Sequence, residues 1–95
     1  MLIAIDFDET LTRDAGLWSQ FICVARKCGH RIVCVTARCD TEDDNDTIDE
    51  WMQVNAIDLP VFFTSMASKV DHMKSIGQPV DIWIDDDPRK CAMGH

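Results

Sequence analysis

Apolar positions along this chain follow two rhythms. Short continuous runs, Leu2-Ile3-Ala4-Ile5, Ile32-Val33-Cys34-Val35, Val61-Phe62-Phe63 and Ile82-Trp83-Ile84, are bounded by charged or turn residues. Runs of this length without polar alternation read as strands buried on both faces, the signature of a parallel sheet. Between them, apolar residues recur three and four positions apart. Leu17, Trp18, Phe21, Val24, Ala25 and Cys28 predict an amphipathic helix over 16–28, with Arg26 and Lys27 in its last turn and Gly29 just beyond. Ile48, Trp51 and Met52 predict a second helix, with Asp46 as its N-cap and a break over 55–60. Met66, Val70 and Met73 predict a third that stops near Gly77. The strands are expected at 2–6, 31–36, 61–64 and 81–84.

Strand and helix thus alternate. That order predicts the α/β class, a doubly wound parallel sheet with helices on both faces, in a single domain over 1–95. Trp18, Phe21 and Trp51 are assigned to the core rather than to a substrate platform. No repeat, linker or low-complexity tract interrupts the pattern.

Composition narrows the function classes. Ninety-five residues at 46% hydrophobic can build one small core. A net charge of −8 disfavours duplex nucleic acid and anionic membrane surfaces as partners. No run approaches membrane-spanning length, and the opening residues lack the basic flank of a signal peptide, so a cytoplasmic location is expected. The five cysteines suit a reducing compartment, since an odd count leaves a thiol unpaired. Cys34 lies in an apolar run, and the spacing of Cys23, Cys28, Cys34 and Cys39 matches no common zinc knuckle. Cys39, just past a strand end, is the thiol most open to reaction. The acid-rich stretch over 40–50 reads mainly as a solvated loop leading into the second helix.

The chemistry collects at strand ends. The first run delivers Asp6 and Asp8, the second Thr36, the third helix Lys69 near its start, and the last run Asp85, Asp86 and Asp87. Ligands of open α/β sheets gather at such carboxyl ends. Paired acids there suit a hard divalent cation with oxygen ligands. A carboxylate can also attack phosphorus, a second carboxyl can protonate the leaving oxygen, and a hydroxyl and an ammonium can hold phosphoryl oxygens.

In these residues the chain resembles the haloacid dehalogenase (HAD) superfamily of phosphotransferases. Ile3-Ala4-Ile5-Asp6-Phe7-Asp8-Glu9-Thr10 matches its apolar strand followed by Asp-x-Asp-x-Thr. Val33-Cys34-Val35-Thr36 matches the strand ending in Thr or Ser, Lys69 the lysine near a helix start, and Ile82-Trp83-Ile84-Asp85-Asp86 the strand ending in paired acids. The motifs occur in the superfamily's order and span nearly the whole chain.

The resemblance implies a magnesium-dependent phosphohydrolase acting through an aspartyl-phosphate. Asp6 would be nucleophile and metal ligand, and Asp8 general acid and base with its backbone carbonyl on the metal. Thr36 and Lys69 would hold the phosphoryl group, and Asp85 and Asp86 would complete the metal site. Thr10 would order the loop after the first strand. Lys69 is preferred to Lys74 because it falls nearer its helix N-terminus. The acid at position 8 points to phosphoryl transfer, since dehalogenases of the superfamily lack it. These roles require the first strand between the second and fourth, hence a strand order of 3-2-1-4.

The gaps between motifs leave no room for a cap domain, and a further edge strand is expected to be missing. Selectivity then falls to the rim of an open site, where Arg38 is the candidate substrate contact, or else a salt-bridge partner of neighbouring acids. The expected substrate is a phosphorylated small molecule, nucleotide or macromolecular end. The oligomeric state stays open. A receiver domain fits less well, because no Asp ends the third strand. The alternative is a HAD-like module that binds or regulates without turnover.

Overall fold

The computed structural model describes residues 1–85. Its elements are β1 (Leu2–Ile5), a 3-10 turn (Leu11–Arg13), α1 (Ala15–Lys27), β2 (Arg31–Thr36), α2 (Glu42–Val54), β3 (Val61–Phe63), α3 (Lys69–Ser75) and β4 (Ile82–Ile84). The strands form one parallel four-stranded sheet in the order β3-β2-β1-β4, the order expected. The fold is α/β and Rossmann-like. Among the described residues only one helix and its loops separate successive strands, so no cap domain is inserted there.

Alternate residues of the central strands feed two cores. Ile3 and Ile5 of β1 and Ile32 and Cys34 of β2 pack against Ile22 and Ala25 of α1 and Ile48 and Met52 of α2. Leu2, Ala4, Val33 and Val35 face the other way, onto Met73 of α3, with Phe62 and Trp83 at the margin. The period-2 alternation of a strand produces this split. Because both faces are covered, the strands read as unbroken apolar runs rather than as alternating ones.

Helix ends follow local chemistry. Asp14 caps α1 by accepting from the Leu17 N–H at 3.1 Å, and Gly29 ends the turn at φ +88. Ser68 caps α3 in the same way, accepting from the Asp71 N–H. α2 departs from expectation. It starts at Glu42, capped by Thr41 through the Asp44 N–H at 3.2 Å, and Asp46 lies inside it. The acids read as loop are its first turn. Glu42, Asp43 and Asp44 sit where the helix dipole favours negative charge, so an acid run that looks like a solvated loop instead stabilises a helix start.

Candidate active site

β1 and β4 end side by side. The Asp6 N–H donates to the Ile84 carbonyl at 3.1 Å, which carries the ladder one residue past β1 and fixes Asp6 beside Asp85. The chain then turns sharply. Leu11 N–H donates to the Asp6 carbonyl and Thr12 N–H to the Phe7 carbonyl, and Glu9 sits in the left-handed region at φ 61. That conformation costs a non-glycine residue about 1–2 kcal/mol, and the Glu9 N–H bonded to the Thr12 hydroxyl helps hold it. The Thr10 hydroxyl donates to Asp6 Oδ2 at 3.4 Å, and its carbonyl accepts from the Trp18 indole at 2.8 Å. Thr10 thus ties the loop both to Asp6 and to α1.

On the opposite side, the loop after β3 is zipped onto the loop after β2. Thr64 N–H donates to the Thr36 carbonyl, Ser65 N–H to the Arg38 carbonyl and Met66 N–H to the Ala37 carbonyl. Ser65 and Met66 both take positive φ to make this turn. The zipper sets the start of α3, and with it Lys69, over the strand ends.

There Lys69 Nζ donates to Asp6 Oδ1 at 2.7 Å and to Asp85 Oδ2 at 2.5 Å. The cluster is buried, with side-chain exposures of 9% for Lys69 and 3% for Asp85. Two carboxylates share one ammonium, so the cluster carries −1 and favours protons on its members. Burial raises the Asp6 carboxyl above its ordinary value, Lys69 offsets part of that rise, and Asp85 and Asp8 add to it. For Lys69, burial pulls the ammonium down, but the hydrogen bonds it donates to Asp6 and Asp85 outweigh that and hold it above its ordinary value.

Asp8, two residues on, goes elsewhere. Arg38 Nη2 donates to Asp8 Oδ1 at 2.6 Å and Nε to Oδ2 at 3.0 Å, while Nη1 reaches Asp44 Oδ1 at 3.1 Å. The guanidinium lies 5.3 Å from the centre of the Phe7 ring. The Asp8 hydrogen bonds hold Arg38 above its ordinary value. Thr36 is fully buried, and its hydroxyl oxygen accepts from the Arg38 N–H at 3.3 Å.

Asp6, Lys69 and Asp85 therefore meet, Asp8 pairs with Arg38, and Thr36 anchors the Arg38 backbone. Of the two lysines weighed, Lys69 is the one at the strand ends. Asp86 lies outside the described residues. Cys34 is an inert core thiol, pushed up to about 12 by burial and then by the charge of Asp6.

Arg38 makes the salt bridges with neighbouring acids expected as the alternative to a substrate contact, but the outer face of α2 escaped the sequence reading. A cleft of about 430 Å³ opens beside Asp8 and Arg38, floored by Phe7 and Trp51 and continued by Val54 and Asn55. Trp51 packs edge-on against Phe7, with ring centres 5.4 Å apart, so it belongs to the core margin and the cleft at once. Nothing in the local pattern marks that cleft, because Thr47 and Glu50 look like the ordinary polar side of an amphipathic helix and Trp51 like its apolar side.

The donor set suits a hard cation in kind and in charge: two carboxylates converge, and their cluster is short of positive charge. In number it is incomplete, since among the described residues no three His, Cys, Asp or Glu side chains come close enough to hold an ion. The same residues contain no helix long and apolar enough to cross a membrane. Compared with protein-family models, with curated proteins and with solved structures, the chain gives no match.

Proposed function

We propose that the protein is a phosphohydrolase that works through an aspartyl-phosphate on Asp6. The observation carrying this reading is the convergence of Asp6, Lys69 and Asp85 at neighbouring strand ends, with Asp8 on the adjoining loop. An oxygen of Asp6 bonds to phosphorus as the ester P–O bond breaks, and Asp8 gives its proton to the departing oxygen. Water then attacks phosphorus, Asp8 takes its proton, and the bond from Asp6 to phosphorus breaks to release phosphate.

Lys69 suits the phosphoryl oxygens because an ammonium has three donors and the two aspartates use two of them. The Thr36 hydroxyl accepts from Arg38 and keeps its own proton to donate. Asp8 has to leave Arg38 before it can reach a leaving oxygen, since both of its oxygens are engaged. Magnesium, held by Asp6, Asp85 and the Asp8 carbonyl, with Asp86 outside the described residues, would supply positive charge to the phosphoryl oxygens.

One observation favours a second reading, a module that binds without turnover: both aspartates of the leading motif are already paired within the chain. Assay with an aryl phosphate and magnesium separates the two. Turnover abolished by Asp6→Asn, and lowered on the order of 10²–10⁴-fold by Asp8→Asn, is the expected result. Near wild-type turnover in Asp6→Asn would remove the covalent mechanism, and no turnover in the wild type would leave the binding module.

A further inference from the structure

The cleft beside Asp8 is polar at both ends, with hydrogen-bond donors at one and acceptors at the other. At its inner end stands the Arg38 guanidinium, and Thr12, whose hydroxyl oxygen accepts from Glu9 and keeps its proton to donate. Along α2 the character reverses. The Thr47 hydroxyl gives its proton to the Asp43 carbonyl at 2.8 Å, so it offers only lone pairs. Glu50 is exposed and has no ion-pair partner among the described residues. The Asn55 amide is anchored on the Trp51 carbonyl at 2.8 Å, which leaves its own carbonyl oxygen as an acceptor. Glu50 lies about 9 Å along the helix axis from Asp44, the residue that holds Arg38. Between the two ends the floor is aromatic, Phe7 and Trp51.

From this gradient we infer that the cleft binds an arylalkyl amine, which it receives as the alcohol part of a phosphate ester, with ring on Trp51 and ammonium at Glu50. The inference rests on the phosphohydrolase reading for its orientation: the leaving oxygen must lie beside Asp8, and the cleft opens from Asp8. Its volume of about 430 Å³ is that of a small-molecule site. Charge sets the preference. The outer end repels a carboxylate and attracts an ammonium or a ring N–H, whereas the inner end, where Arg38 is already paired with Asp8 and Asp44, offers a carboxylate no net positive charge.

Three matched esters test this: 4-(2-aminoethyl)phenyl, 4-ethylphenyl and 4-(carboxymethyl)phenyl phosphate, at low ionic strength. A charge-assisted hydrogen bond to Glu50 should favour the amine over the ethyl compound by about tenfold in kcat/KM, mostly through KM. The carboxylate should rank last. In Glu50→Gln the ratio of amine to ethyl should fall to about one, while Asp49→Asn, an exposed acid of α2 outside the cleft, should keep it.

A second arm needs no turnover. Tyramine, titrated into the protein, should shift the Trp51 indole signal in a saturable way that Glu50→Gln weakens, and 4-hydroxyphenylacetate should not. Equal rates for all three esters, or equal shifts for amine and carboxylate, overturn the inference and leave the phosphohydrolase reading standing. Amine-selective shifts without turnover of any ester remove that reading and keep the cleft as an amine site.

Discussion

Asp6 and Asp8 leave the same strand end two residues apart, yet they enter opposite physical regimes. Each joins a second carboxylate around a single cation: Asp6 and Asp85 around Lys69, Asp8 and Asp44 around Arg38. Both clusters carry −1. The difference is water, since the Asp8 side chain is 49% exposed and that of Lys69 only 9%. In the buried cluster each charge depends on its neighbours, because no solvent replaces a lost partner. At the rim, water and salt substitute freely. The buried cluster is built to stay, and the rim cluster can exchange partners. The nucleophile and the acid of the proposed mechanism would need that division.

The contrast breaks most visibly at the two cations. Lys69→Ala should leave Asp6 and Asp85 facing each other without compensation, at a cost of about 3–5 kcal/mol, read from denaturant unfolding. If Lys69→Ala cost no more than Arg38→Ala, burial would not be what separates the clusters.

Magnesium should act on the same asymmetry. An ion held only by the folded chain adds about 2.7 kcal/mol at a hundredfold excess over its dissociation constant. Thermal melts with EDTA and with millimolar magnesium should therefore differ, and the shift should persist in Arg38→Ala. Identical melts would argue against a metal at Asp6 and Asp85.

The pH dependence sharpens the picture further. The folded Asp6 carboxyl lies above the ordinary 3.8, so the folded state holds that proton more tightly. Its contribution is most favourable at low pH and falls as pH rises from 3.8 through the folded value. Lys69 lies above 10.5, so its contribution is fully present below 10.5 and is lost as pH rises through the folded value. Stability of Asp6→Asn, followed from acid to neutral pH, should lack the Asp6 decline, so that the variant is no less stable than wild type at neutral pH. A variant that lost stability at neutral pH would mean that Lys69 more than offsets the burial of Asp6.

The smallest effect is expected at the rim. Arg38→Ala should cost within about 1 kcal/mol, and less at high salt. A larger, salt-independent loss would show that the cation–π contact with Phe7 and the packing of the arginine stem outweigh the ion pairs.

Much of the architecture was legible because burial leaves a local mark. Strands covered on both faces become unbroken apolar runs, and β2 begins and ends at the expected residues, 31 and 36. The strand order was reachable too, through the site roles expected of Asp6, Thr36 and Asp85, which share a site only if β1 lies between β2 and β4. The start of α2 was not legible, because the same acids suit both a solvated loop and the first turn of a helix. What tips the balance is Thr41 as a cap.

The sequence by itself thus determined the layers, the sheet order and the set of chemically capable side chains, since each follows from periodicity and from what strand ends deliver. Tertiary structure alone decided the pairings. That Lys69 joins Asp6 to Asp85 depends on the zipper between the loops after β2 and β3, which spans residues far apart in the chain. That Arg38 takes Asp8 depends on where α2 sets Asp44. The cleft is likewise a product of packing, because it exists only where the face of α2 meets the loop after β1. Periodicity reports which face of an element is apolar; only the assembled chain sets which polar groups then stand within hydrogen-bonding distance of one another.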